Sequence, residues 1–287
     1  MGKIIIIGSG PAGISAALYT VRAGIETIIL TTGSSSLLKA KEIENYYAYE
    51  KPISGEDLLE EGVKQAKRLG VTIYNEEVLG ISFTDSLTLT TQENQHKADA
   101  VIITTGASRN TPKIKDLSRF EGGGISYCAV CDGFFYKGKN VGVLGAGDYA
   151  LHEALELLPI AGQVTLLTNG VELGVPLPEG IKLDERPIAS FQGEEVLKSI
   201  IFEDGSSLEL SGVFIAQGVA GSADLARKIG AETNGNEIII DSQMATNIPG
   251  LFAAGDCTGG MLQIAKAVYQ GAEAGTSAIK FVRELEK

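Results

Sequence analysis

KIIIIGSGPAGISAALYTVRAG, residues 3–24, decides the fold. Lys3 to Ile7 reads as a strand, and its unbroken isoleucine run suits a strand buried on both faces of a parallel sheet. Gly8, Gly10 and Gly13 follow in GxGxxG spacing. Ile14 to Ala23 reads as a helix, with Ala16 and Ala17 small enough for close packing, and Gly24 ends it. IETIIL is the next strand, which completes a βαβ unit. Each glycine has a physical job. Gly8 allows the tight turn, Gly10 lets the backbone approach a pyrophosphate, and Gly13 lets helix and strand pack closely. The helix amino terminus then presents N–H groups and a positive dipole end to phosphate. One piece of the generic pattern is missing. No acidic residue follows the second strand to hold a ribose; Thr31, Thr32 and Gly33 stand there, and Glu26 precedes the strand.

The design recurs in KNVGVLGAGDYALHEALELLPIAGQVTLLTNG, residues 139–170. Val141 to Leu144 is a strand, Gly145, Gly147 and Ala150 give GxGxxA, Leu151 to Leu158 is a helix, and QVTLLT is the second strand. Between the two motifs, SGEDLLEEGVKQAKRL (residues 54–69) reads as an amphipathic helix capped by Ser54, with Asp57 in the capping-box position. VTIYNEEVLGISF and SLTLTTQ alternate as in a β-meander. ADAVIITTGAS is a buried strand ending in a glycine turn, and a first lobe finishes near Arg109 to Pro112. DGSS, residues 204–207, is a hairpin turn. At the carboxyl end a strand, LFAAGD, runs into a helix from about Gln263. That piece is too short to stand alone and most simply completes the first lobe. The expected fold is therefore α/β: two Rossmann-like, three-layer dinucleotide-binding domains, the second inserted in the first.

Bulk properties narrow the function. The chain has 287 residues, enough for two ordinary domains, and its 44% apolar and 21% charged residues are globular values. A net charge of −12 does not attract phosphate backbones, so nucleic acid is not an expected partner. The amino-terminal apolar run is too short for a signal-peptide core. Ile6 stands where myristoylation needs Ser or Thr. No stretch approaches the roughly 20 apolar residues of a membrane helix. A cytoplasmic protein without a membrane partner is expected.

GISYCAVCDGFF, residues 124–135, carries two of the three cysteines, Cys128 and Cys131. Such a pair can be a redox disulfide, half of a metal site, or a chance spacing. In a reducing cytosol a structural disulfide is disfavoured. Zinc takes about four ligands. Cys257 lies far along the chain, and His96 and His152, the only histidines, have no partner spacing. No metal is expected. Cys257 itself reads as a small buried filler.

GSGPAG, ENYYAYEKPISGEDL, VIITTGAS, ISYCAVCDGFF, GAGDYA and LFAAGD occur in an order and spacing that resembles the low-molecular-weight thioredoxin reductase family of flavoproteins, over nearly the whole chain. The resemblance implies an FAD domain built from residues 1–111 and 244–287 and an inserted redox domain, 112–243. It implies cofactor contacts at Gly8, Gly10, Pro11, Ala12, Gly13, Asn45, Thr105, Gly106, Gly255, Asp256, Gln263 and Ile264. It implies that Cys128 and Cys131 are the redox disulfide, Asp132 the acid that handles protons during exchange, thioredoxin the partner, and a homodimer the working form. The chemistry agrees. A thiolate attacks disulfides and a thiol does not, and CxxC pairs can lower a thiol pKa to about 7. A neighbouring carboxylic acid can protonate the leaving sulfur. Potentials near about −270 mV match thioredoxin.

The chain departs from the family where NADPH binds. There the turn reads like GGGDSA, the helix begins with two glutamates, and an HRR motif after the next strand grips the 2′-phosphate. Here Tyr149 replaces a small residue, His152 stands at the first glutamate, and Asn169-Gly170 follows QVTLLT. The usual IGxxPN segment is replaced by Gln217, Gly218, Val219, Ala220 and Gly221. The departure resembles the flavin-containing, ferredoxin-dependent branch, which implies electrons passing from reduced ferredoxin through FAD and the Cys128–Cys131 pair to thioredoxin. Two alternatives stand beside it: an NADPH-dependent reductase with a divergent nucleotide site, and a non-catalytic flavoprotein redox sensor. Asp132 beside the pair argues against the last. Ferredoxins are usually acidic, so a basic docking patch is needed. Lys39 with Lys41, Lys113 with Lys115 and Arg119, and Lys137 with Lys139 are candidates.

Overall fold

The computed structural model describes residues 2–106, 112–218 and 221–287. Two compact units emerge: Met1–Arg109 with Gly221–Lys287, and Asn110–Ala220. The expected return to the first domain at residue 244 is thus corrected to 221. The helix Ser222–Lys228 packs on the strand Val78–Phe83, and the Lys228 ammonium donates to the Leu79 carbonyl at 3.0 Å. The short strand Glu237–Ile238 lies against the turn Asp256–Thr258. Ala107 and Ser108 of VIITTGAS, the expected lobe end through Thr111, and Val219 and Ala220 lie outside the described residues.

The first unit is built on a parallel sheet ordered Leu251–Ala253, Ala100–Ile103, Lys3–Ile7, Glu26–Thr31, Thr72–Asn75. Ile4, Ile5 and Ile6 are fully buried in the middle strand, as a run without alternation requires. The first helix spans Pro11–Arg22, starting earlier than expected because Pro11 takes the first helical position, where its missing N–H has no cost. It crosses the carboxyl-terminal helix Ile264–Leu285 at very short range. A Cβ on Gly271 would lie 2.1 Å from the Ala12 carbonyl oxygen, so only glycine permits that crossing. The helix Gly55–Arg68 starts as the sequence implies: Ser54 Oγ accepts the Asp57 N–H at 3.0 Å and donates to its carboxylate at 2.7 Å. TIYN, expected in the meander, instead forms the parallel edge strand. The antiparallel meander is Val78–Phe83, Leu87–Thr91 and Gln95–Ala98.

The second unit repeats the parallel sheet in the order Ile181–Asp184, Gln163–Leu167, Asn140–Leu144, Gly212–Ile215, Ile125–Ser126. The helix Asp148–Leu157 packs on its middle strands. An antiparallel group, Ile188–Gly193, Leu197–Phe202 and Ser207–Glu209, turns at Gly205 (φ +81°) within the expected hairpin. Phe120, Phe191, Phe202 and Val213 fill the core between these layers. Among the described residues no helix is long and apolar enough to cross a membrane, and no group of three or more His, Cys, Asp or Glu could hold a metal ion.

Candidate functional site

In the first unit the turn after Lys3–Ile7 has the form a dinucleotide needs. Gly8 has φ +103°, which disfavours any side chain. A Cβ on Gly13 would lie 2.0 Å from the Gly8 carbonyl oxygen, whereas one on Gly10 would meet nothing within 4 Å. The turn is closed where helix meets strand and open where a phosphate would approach. Gly10 caps the helix without a side-chain hydrogen bond, so the N–H groups of its first turn, from Ala12 on, face outward without an intrahelical partner. Gly13→Ala forces the turn apart, and overpacking of this kind costs about 1–3 kcal/mol. The variant should retain under roughly a tenth of the wild-type flavin, read from the absorbance ratio of purified protein.

Other predicted residues gather in the same unit. Asn45 donates to the Gln263 side-chain oxygen at 2.9 Å, joining positions 218 residues apart. Gln263 caps the helix Ile264–Leu285 with its backbone, so Ile264 opens that helix with its N–H unpaired along the helix. The Thr105 hydroxyl donates to Ser222 Oγ at 2.6 Å, because Ser222 gives its own hydrogen to the Gly106 carbonyl at 2.6 Å. Gly255 has φ +88° and opens the turn that carries Asp256. Gln270 accepts the Gly255 N–H at 2.9 Å, and the Lys266 ammonium donates to the carbonyls of Gly255 and Gly259 at 2.9 and 2.5 Å. Ser222, Lys266 and Gln270 were not expected from the sequence. Nothing local marks them, since each acts through a backbone group that only the fold brings near. These open glycine turns and free helix ends fit an FAD-sized dinucleotide. Cys257 lies beside them, fully buried, and burial pushes its thiol up to about 12, so it supplies no thiolate.

In the second unit Cys128 and Cys131 form a disulfide. Cys128 is 3% exposed and Cys131 is exposed. The pair opens the four-residue helix Ala129–Asp132, and the Cys131 N–H points at Cys128 Sγ at 3.1 Å. Ser126, buried at the end of its strand, donates to Asp132 Oδ2 at 2.6 Å and accepts the Cys128 N–H at 3.2 Å. One hydroxyl therefore ties the Asp132 carboxylate to the backbone of Cys128. Burial, and then the Asp132 charge, hold the Tyr136 phenol above its ordinary value. Val130, Phe134 and Phe135, next to the pair in sequence, are 51%, 75% and 69% exposed, leaving apolar surface uncovered there. Hydrogen bonds to charged groups contribute about 1.5–3 kcal/mol, so Ser126→Ala should slow exchange of the reduced pair with a small aromatic disulfide by about tenfold to a hundredfold. Stopped-flow absorbance of the released thiolate checks this.

The second dinucleotide turn is only partly kept. A Cβ on Gly145 would lie 2.2 Å from the Ala216 carbonyl oxygen and Gly147 is open, as in the first turn. Tyr149, 2% exposed, occupies the first turn of the following helix. Where a basic grip would follow the Gln163–Leu167 strand, Asn169 (φ +54°) accepts the Ile188 N–H at 2.6 Å and Gly170 (φ +81°) donates to the Glu185 carbonyl at 2.8 Å. Arg186, just past the neighbouring strand, forks onto Asp184 at 2.9 and 2.5 Å, donates to Ser206 at 2.7 Å and stacks over Phe202 at 3.9 Å. The guanidinium in turn holds the Asp184 carboxyl below its usual range.

The pyridine nucleotide-disulphide oxidoreductase family model matches residues 2–271. Among curated proteins, thioredoxin reductase of Listeria innocua is 34% identical, with 99% of this chain and 95% of that protein covered. Thioredoxin reductase of Aquifex aeolicus is 33% identical, with 99% and 94% covered. Among solved structures, the atypical thioredoxin reductase TRi from Desulfovibrio vulgaris Hildenborough has a TM-score of 0.92 at 43% identity, with 99% of each chain covered. A ferredoxin-flavin thioredoxin reductase from Clostridium acetobutylicum has a TM-score of 0.71 at 28% identity, with 100% of this chain and 99% of that one covered.

Proposed function

The chain belongs to the pyridine nucleotide-disulphide oxidoreductases and, among them, to the low-molecular-weight thioredoxin reductase family, and we propose from this that it is the FAD-dependent reductase that carries electrons from reduced ferredoxin to thioredoxin. The observation that carries this reading is a contrast within the second unit: the disulfide and its Ser126–Asp132 bond are intact, while the strand Gln163–Leu167 leads into Asn169-Gly170, where no basic side chain stands to grip a nucleotide phosphate. Two similar structures bear on the donor, one titled an atypical thioredoxin reductase and the other a ferredoxin-flavin thioredoxin reductase.

FAD, when bound, supplies a centre that accepts electrons singly and passes them on as a pair. The residues that would hold it are Gly8, Gly10, Pro11, Ala12 and Gly13 at the pyrophosphate, Gly255 and Asp256 at the ribityl and phosphate part, and Asn45, Thr105, Gly106, Gln263 and Ile264 around the remainder. In the reduced pair, a thiolate attacks one sulfur of thioredoxin's disulfide. That bond breaks, a mixed disulfide forms, and the second cysteine closes the Cys128–Cys131 bond as it releases thioredoxin. Two electrons and two protons leave the pair. Asp132, held by Ser126, moves the proton to the departing sulfur. Val130, Phe134 and Phe135 receive the apolar surface around thioredoxin's own cysteines. The same reading makes the working species a cytoplasmic homodimer.

The test is turnover. Under anaerobic conditions, enzymatically reduced ferredoxin, catalytic amounts of this protein and oxidised thioredoxin should produce thioredoxin thiols at a rate proportional to the protein. Absence of thiols in the complete mixture overturns the reading.

A further inference from the structure

We propose that Glu153 is a positioning residue for the redox pair, acting through the backbone N–H of Ala129. Glu153 lies within the helix Asp148–Leu157 and is 1% exposed. A carboxyl at that depth is costly unless it is hydrogen-bonded, so its placement asks for a purpose. Its Oε2 accepts the Ala129 N–H at 2.9 Å, 24 residues back in sequence. Ala129 directly follows Cys128. The first N–H groups of a helix have no partner within it, and here those of Cys128, Ala129 and Cys131 bond to side chains. The Cys128 N–H goes to Ser126 Oγ, the Ala129 N–H to Glu153, the Cys131 N–H to Cys128 Sγ, and the Asp132 N–H to the Cys128 carbonyl.

Ser126 and Glu153 therefore grip the two peptide groups on either side of Cys128. Each is anchored outside the pair, one on a sheet strand and one on a helix that packs against the Ala129–Asp132 turn. The Cys131 N–H, by contrast, bonds within the turn, to Cys128 Sγ. The two grips fit the backbone as the closed disulfide holds it, and opening the bond to the exposed Cys131 relaxes that geometry and loosens the hold on Cys128. The grip is recorded with the disulfide closed, so it stabilises the oxidised pair relative to the open dithiol. The helix that follows the second glycine turn thus serves the reaction through the cysteines.

This rests on reading Cys128–Cys131 as an exchange disulfide, but its test needs neither thioredoxin nor ferredoxin. Flavin-loaded wild type, Glu153→Ala, Glu153→Asp and Glu153→Gln are equilibrated in glutathione redox buffers, quenched in acid, and the dithiol fraction is counted by maleimide gel shift after denaturation. The buried Cys257 adds the same constant label to all four. Losing one hydrogen bond should move the exchange equilibrium toward the dithiol by about fivefold to tenfold in the alanine variant, a tenfold change being about 30 mV. The aspartate variant, too short to reach Ala129, should move the same way. Glutamine keeps an acceptor oxygen at the same reach and should stay within about twofold of wild type. If the alanine protein does not fold, the aspartate–glutamine contrast decides. An unshifted equilibrium in the alanine or aspartate variant overturns the proposal. So does an equal shift in the glutamine variant, which would assign the effect to charge rather than to the grip.

Discussion

A Cys131→Ser protein is expected to purify yellow and to reduce no thioredoxin. A single sulfur can neither hold two electrons as a dithiol nor close an intrachain disulfide to release its partner. The loss should therefore be complete to the limit of the assay, beyond the roughly hundredfold to ten-thousandfold that removing a general acid, the role proposed for Asp132, can cause. The flavin should stay because every expected cofactor residue lies in the first unit, while both cysteines lie in the second. The two single variants should also differ from each other. Cys128→Ser leaves the exposed Cys131, which should trap thioredoxin as a stable mixed disulfide. Cys131→Ser leaves a cysteine only 3% exposed, which should trap little. Non-reducing electrophoresis with a thioredoxin that lacks its resolving cysteine reads the difference. Equal trapping by both variants would show that exposure does not select the attacking sulfur.

What was legible in the sequence was whatever a short window can contain. The Gly8–Gly13 turn is such a case, because strand, turn and helix are contiguous and each glycine is required by contacts only a few residues away. CAVCDGFF is another. Pairings across the fold were not legible. A strand that alternates can serve as a parallel edge or as part of a meander, and nothing in TIYN says which partner it will find; it pairs with Glu26–Thr31. The expected inserted domain, 112–243, takes in Ser222–Lys228, which instead belongs to the first unit, because a short helix carries little periodicity of its own and this one packs on the strand Val78–Phe83. The same limit hid Glu153 and Lys266. A charged residue on a helix normally reads as solvated surface, and only the fold shows one reaching Ala129 and the other reaching two glycine carbonyls. Asn45 and Gln263 were both named by resemblance, yet their direct bond was visible only in three dimensions.

In an anaerobic titration followed at the flavin band, reduced ferredoxin should bleach the protein, while NADPH should leave it yellow at concentrations that saturate reductases carrying the basic motif. Each hydrogen bond to a charged phosphate is worth about 1.5–3 kcal/mol, so two missing guanidinium contacts weaken binding by roughly a hundredfold to many thousandfold. The site is also committed to another use. Gly170 sits at φ +81°, and a Cβ there would lie 3.2 Å from Pro187 Cγ, so an arginine at that position is strained before it meets any ligand. Asn169, at φ +54°, gives its side chain to the Ile188 N–H, and replacing it would leave that donor unpaired. Arg186 is held by Asp184, Ser206 and the Phe202 ring. Recruiting it to a phosphate means breaking all three contacts. The feature that favours NADPH is the open Gly147 turn, which a pyrophosphate could still approach. Rapid bleaching by NADPH at modest concentration would give that turn the deciding role and overturn ferredoxin as the donor, while leaving the Cys128–Cys131 chemistry as it stands.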